Sequence, residues 1–131
     1  MHETLRRLLK SPRNWQFALA AYWLVLFVAT HVPNRLPQLP GAGSDKLAHL
    51  SAFALLAVIL AVTWQLAAGH LTARHLFVAW IVIALYAALD EWTQSFVGRS
   101  TSFWDWVADA SGALAALVLF AWLRGNIAAP Q

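Results

Sequence analysis

Apolar residues in this chain run in unbroken blocks. The stretch "AFALLAVILAV" (Ala52–Val62) is apolar at every position, so it lacks the alternation of a half-buried strand or a soluble amphipathic helix. Blocks of the same kind recur at Trp15–Val32, Leu47–Ala68, His75–Asp90 with a continuation to about Phe96, and Asp105–Leu123. Each approaches the ~20 residues a helix needs to cross the hydrocarbon core of a bilayer. Strands of a membrane barrel would alternate apolar and polar positions instead. The pattern predicts an all-α protein, a four-helix transmembrane bundle forming one domain over residues 1–131.

Composition points the same way. The chain is 60% hydrophobic and 11% charged, where a soluble domain carries about 25% charge. It has no cysteine, which excludes disulfides, thiolate catalysis and cysteine metal sites. Basic residues precede the first block, as in a secretory signal. Its apolar run exceeds the ~7–15 residues of a signal core, however, and "THVPNRLPQLP" offers no small-x-small cleavage site, so an uncleaved helix is expected. The opening "HETLRRLLKSPRN" puts Leu5, Leu8 and Leu9 on one helical face and predicts a short interfacial N-terminal helix.

The net charge is +3, but its distribution argues against nucleic acid as a partner. Arg6, Arg7, Lys10, Arg13, Arg74 and Arg124 fall at one end of the expected bundle, six against the three (Arg35, Lys46 and Arg99) at the other. The positive-inside rule then places both termini in the cytoplasm. Trp15, Trp64 and Trp122 map near that inner interface, and Trp92, Trp104 and Trp106 near the outer one. Trp23 and Trp80 lie deeper, as packing residues.

Acidic residues gather at the other end. Five of the six, Asp45, Asp90, Glu91, Asp105 and Asp109, map to the outer tips of the second, third and fourth helices. Asp45 and His49, Asp90 and Gln94, and Asp105 and Asp109 are each four apart, so each pair shares a helix face, stacked roughly 6 Å along the axis. Turned inward, the three stripes would build one polar pocket, with Lys46 and Arg99 as its positive charge. Capping is the simpler explanation for two of them: Ser102 and Asp105 form S-x-x-D, and Ser44 or Asp45 can start the second helix. Capping does not account for Asp90 and Glu91, which lie toward a helix C-terminus where the dipole opposes negative charge. Nor does it account for Asp109, a turn deeper, where an ionised group must be paired, protonated or hydrated. His49 beside Asp45 suits an acid, a base or a metal ligand. His31 carries no partner pattern. Ser111, Gly112, Ala115 and Ala116 give the fourth helix a small-residue face for close packing.

Three stretches, "DKLAH" (Asp45–His49), "EWTQSFVGR" (Glu91–Arg99) and "DWVADASG" (Asp105–Gly112), resemble the signatures of the VanZ-like family of small bacterial membrane proteins. That family's pattern reads D-K-x-x-H, then E-x-x-Q-x-F with Gly-Arg shortly after, then D-x-x-x-N-x-x-G. The resemblance spans roughly Asp45 to Gly112. Asp109 stands where Asn is frequent, Val97 where Pro is frequent and Phe53 where Tyr is common. The resemblance implies a multi-pass protein of the bacterial cytoplasmic membrane. The family's namesake is associated with low-level resistance to the glycopeptide teicoplanin, a cell-envelope setting that specifies no reaction.

Several functions remain open at this point. The first is a binding protein whose outward pocket of Asp45, Lys46, His49, Glu91, Gln94, Arg99, Asp105 and Asp109 takes a membrane lipid headgroup or a lipid-linked cell-wall precursor. Arg99 and Lys46 would then hold phosphate. The second is a hydrolase or transferase acting on an envelope lipid. Glu91, Asp90 and His49 would act as acid or base, or the cluster would bind a divalent cation. The third is a paired-charge lock of acids with Arg99 that fixes helix register. Transport would require a homo-oligomer, because four helices leave little room for a path.

Overall fold

The computed structural model describes residues 10–32 and 44–128, and among them only helices and turns occur. The four helices are α1 (Pro12–His31), α2 (Ser44–Ala68), α3 (Ala73–Gln94) and α4 (Phe103–Ala128), with a short 3₁₀ turn at Ser95–Val97 after α3. The expected interfacial segment before Lys10 and most of the α1–α2 connection, including Arg35, lie outside the described residues. Three stretches, Asp45–Ala68, Ala73–Val97 and Phe103–Gly125, are long and apolar enough to cross a membrane. α1 matches them in length more than in composition. Its 20 residues reach about 30 Å, but Arg13, Asn14 and Gln16 occupy the first turn and a half, and His31 ends it. The chain is a multi-pass membrane protein, and its exterior fits that medium: Phe17, Leu24, Leu47, Leu85, Phe96, Val118 and Trp122 are all exposed.

Local chemistry sets the helix ends. Pro12 opens α1, where its missing N–H costs nothing, and Val32, extended before Pro33, closes it. α2 stops at Gly69, whose left-handed backbone (φ +73°) lets its N–H bond back to the Gln65 carbonyl at 3.0 Å. α3 starts with a reciprocal cap. The Thr72 hydroxyl accepts from the His75 N–H, and the Thr72 N–H donates to His75 Nδ1 at 3.1 Å. His75 thus fills the place that Glu or Gln takes in a capping box.

α2 and α4 run parallel and form the most extensive contact in the bundle, with α3 packed on α4 and α1 on α2. The core is Phe53, Leu56, Ala57 and Ala61 of α2, Ala79, Ile83 and Ala87 of α3, and Ala113 and Leu117 of α4. Leu26 and Leu71 join them, and the alanines among these residues suit close backbone approach, since dispersion rather than exclusion of water joins helices in lipid. Polar tips act as clamps between neighbours. Trp80 Nε1 donates to the Ala110 carbonyl and Trp106 Nε1 to the Ala84 carbonyl, each at 3.0 Å, so α3 and α4 grip each other reciprocally. Tyr22 of α1 donates to the Ala52 carbonyl of α2 at 2.9 Å. Trp106, expected in the outer aromatic belt, is therefore a half-buried packing residue.

Candidate functional site

The tips of α2, α3 and α4 bring their polar side chains together at one end. His49, Asp90, Glu91, Gln94, Asp105 and Asp109 are all buried, and Asp109 is only 1% exposed. Residues four apart on one helix do share a face, but the set divides between two neighbourhoods.

The first lies among α2, α3 and α4. His49 Nδ1 is 3.0 Å from Asp109 Oδ1. Glu91 stands beside them, and one ligand-capable atom from each of His49, Glu91 and Asp109 lies within 4.8 Å of the others. The Ser102 N–H donates to Glu91 Oε2 at 2.8 Å, while Glu91 Oε1 is buried with no hydrogen-bond partner. At the rim, Lys46 forms an ion pair with Asp105, lies 3.9 Å from Asp45 Oδ2 and reaches Ser102 Oγ at 3.5 Å. Ser102 and Asp105 thus turn to Lys46 and Glu91 rather than closing the capping box expected from S-x-x-D; the Ser102 carbonyl alone caps α4, accepting from the Asp105 and Trp106 N–H groups. Asp45 is the outlier, its side chain 68% exposed.

The second neighbourhood lies between α1 and α3 and centres on Asp90. Thr30 Oγ1 donates to Asp90 Oδ1 at 3.0 Å, Tyr86 donates to the same oxygen at 3.3 Å, and Gln94 Nε2 donates to Oδ2 at 3.0 Å. His31 Nδ1 sits 3.7 Å from Oδ1, and its Nε2 lies 2.9 Å from Thr93 Oγ1. Consecutive residues on a helix point about 100° apart, so Asp90 faces α1 while Glu91 faces α2 and α4. Thr30, His31, Tyr86 and Thr93 escaped sequence reasoning. His31 does have partners, and the signal was its level: the last turn of α1 must lie beside the last turns of α3 in an up-and-down bundle.

Arg99 reaches the site through its turn. Gly98 adopts a left-handed conformation (φ +75°), and the Arg99 N–H returns to the Gln94 carbonyl at 3.2 Å. The half-buried guanidinium is thereby folded over the bundle, where NH1 donates to the Ala29 carbonyl at 3.4 Å. It makes no ion pair among the described residues, so of the charge pairing expected with Arg99 or Lys46 only the Lys46 part forms, with Asp105, while His49 and His31 lie beside Asp109 and Asp90. Arg99 lines a cavity of about 160 Å³ with Leu26, Thr30, Asp45, His49 and Phe53. A second, more open hollow of about 360 Å³ lies on the other side, lined by Glu91, Ser102, Phe103 and Trp106. The buried cluster therefore sits between two hollows, with His49 on one wall and Glu91 on the other.

The motifs D-K-x-x-H, E-x-x-Q and D-x-x-x-D-x-x-G thus converge at one end of the bundle, and the VanZ/LLP1 family profile matches residues 4–124. The chain belongs to the VanZ/LLP1 family. No curated protein and no solved structure matches it. Family membership covers nearly the whole bundle, so the three motif stretches are parts of one matched unit. In this family member the third motif contributes a carboxylate, Asp109, in contact with the histidine of the first.

Proposed function

We propose that the acidic end of this VanZ/LLP1 protein faces outward from the bacterial cytoplasmic membrane and binds the phosphate-bearing headgroup of an envelope lipid or lipid-linked cell-wall precursor. The observation that carries this reading is Arg99: a half-buried arginine lining a cavity, its guanidinium bonded to one carbonyl and paired with no carboxylate among the described residues. A guanidinium fork in such a setting suits a phosphate bidentately. Lys46 adds charge at the rim, and the exposed carboxylate of Asp45 faces amine or hydroxyl groups of the same headgroup. The surplus of basic residues expected at the opposite end, six against three, supports this orientation, with both termini on the cytoplasmic side.

Size limits the ligand. A cavity of about 160 Å³ falls below the ~300–1,000 Å³ of sites for drug-sized molecules.

Lipids that copurify with the protein in mild detergent, identified by mass spectrometry, test the reading. Phosphate-bearing species enriched with the wild type and lost from Arg99→Ala are expected. Equal lipid profiles from two folded proteins would contradict it. An enzyme acting on the same lipid is the second reading, supported by the His49–Asp109 pair beside Glu91, and release of a product from the bound lipid would distinguish it.

A further inference from the structure

We propose that His49, Glu91 and Asp109 form a site for one divalent cation of borderline softness, Mn²⁺ or Zn²⁺, in the buried centre of the cluster. Three helices each contribute one ligand, and their ligand atoms already lie within 4.8 Å of one another. Atoms bound at ~2.1 Å to a common ion lie about 3.0–3.4 Å apart in cis or tetrahedral arrangement and about 4.2 Å apart only when opposite, so the three side chains close in on a bound ion by rotamer adjustment.

Charge bookkeeping supports a cation here. Glu91 and Asp109 are buried at 7% and 1% exposure. Among the described residues, Lys46 pairs with Asp105, and Arg99, on the Ala29 carbonyl, pairs with neither Glu91 nor Asp109. His49 meets Asp109 at 3.0 Å, which leaves Glu91 as the carboxylate without a counter-charge, and a neutral imidazole keeps one ring lone pair for a metal. The independent observation is Glu91 Oε1, a buried carboxylate oxygen without a donor, on a side chain whose other oxygen is fixed by the Ser102 N–H. A buried acceptor left open beside two other ligands matches the vacancy a cation fills, since such groups normally have partners.

The ligand set selects the ion. Ca²⁺ takes six to eight oxygens, and Mg²⁺ prefers oxygen in a near-ideal octahedron. One imidazole with two carboxylates suits Mn²⁺ or Zn²⁺ better. A second trio, Asp45, His49 and Asp105, is also close enough, but Lys46 already balances it and Asp45 is exposed, so the inner trio is the site. Three protein ligands leave coordination positions free, and His49 and Glu91 each border a hollow through which a ligand could approach.

This inference does not depend on the headgroup reading, and its test is run without phosphate. The full chain, stripped with a chelator in a maltoside detergent, is titrated with Mn²⁺ by electron paramagnetic resonance and with Zn²⁺ by calorimetry. One ion per chain is expected, with affinity reduced at least about 100-fold by either Glu91→Gln or Asp109→Asn, and with thermal stabilisation by the ion seen only in the wild type. The melting curve without metal reports whether each variant is folded. A folded wild type that binds neither ion overturns the proposal. So does weak binding that both substitutions leave unchanged, which would indicate an adventitious ion only.

Discussion

Gly112 of α4 lies directly against the backbone of Leu50 in α2, so close that a Cβ at position 112 would land on the Leu50 carbonyl oxygen. His49 is the next residue in α2, and Asp109 lies one turn back in α4. Their 3.0 Å contact is a consequence of the same crossing. The glycine of the third motif thus serves the polar site by letting two helices approach.

Gly112→Ala should therefore destabilise the protein by about 1–3 kcal/mol, the usual cost of overpacking. Gly125 in the same helix has nothing within 4 Å of its missing Cβ, so Gly125→Ala should be neutral or stabilising by up to about 1 kcal/mol. Thermal melts of the two variants by circular dichroism, in one detergent, give the comparison.

Gly98 tests a different role of glycine. A Cβ there meets open space, so the restriction is its φ of +75°. Gly98→Ala should cost about 1–2 kcal/mol in that turn, and Gly98→Asn less, because Asn tolerates the left-handed region. Headgroup binding should fall in the same order, since the turn aims Arg99. Equal binding by both variants and the wild type would show that Arg99 does not need the turn.

Asp90 is read as the joint between α1 and α3. Asp90→Ala strands the Thr30, Tyr86 and Gln94 donors and should lose about 2–4 kcal/mol, whereas Tyr86→Phe removes one long bond and should lose about 1 kcal/mol or less. Chemical unfolding of the two variants in mixed micelles measures the difference. Losses that come out equal would mean that the carboxylate does not integrate the network.

The Lys46–Asp105 pair joins α2 to the start of α4, and the Asp105 side chain is 11% exposed. Lys46→Met should cost on the order of 1 kcal/mol, held down by the lysine's partial exposure. Adding Asp105→Asn should restore most of that loss, because the shielded position 105 then holds no unmatched charge and the remaining Asp45 carboxylate is exposed. A double variant as unstable as the single one would remove the pair from the account.

Much of the fold was legible because membrane helices announce themselves. Runs such as Ala52–Val62 leave no alternative period, and the clustering of acids at helix tips survives any choice of helix rotation. Spacing of four correctly put Asp105 with Asp109 and Asp90 with Gln94 on shared faces, all four buried. It could not say which neighbour each face meets. In a chain that is apolar on every side, no polar face marks the outside, so nothing in the pattern separates Asp90, which turns to α1, from Glu91, which turns to α2 and α4. The dominant parallel contact of α2 with α4 joins helices that are not consecutive, and only Gly112 hinted at it. Arg99 was expected to meet the carboxylates. Its actual position depends on one left-handed residue, and a sequence shows that residue as Gly98 without showing its conformation.

The most direct test of the central claim is the affinity for a phosphate-bearing lipid in nanodiscs, measured by native mass spectrometry with chelator present, for the wild type, Arg99→Lys and Arg99→Ala. The account predicts at least about a tenfold loss for Arg99→Ala, worth about 1.4 kcal/mol, with Arg99→Lys between the two because an ammonium keeps the charge but not the fork. The same affinity in all three folded proteins would contradict it.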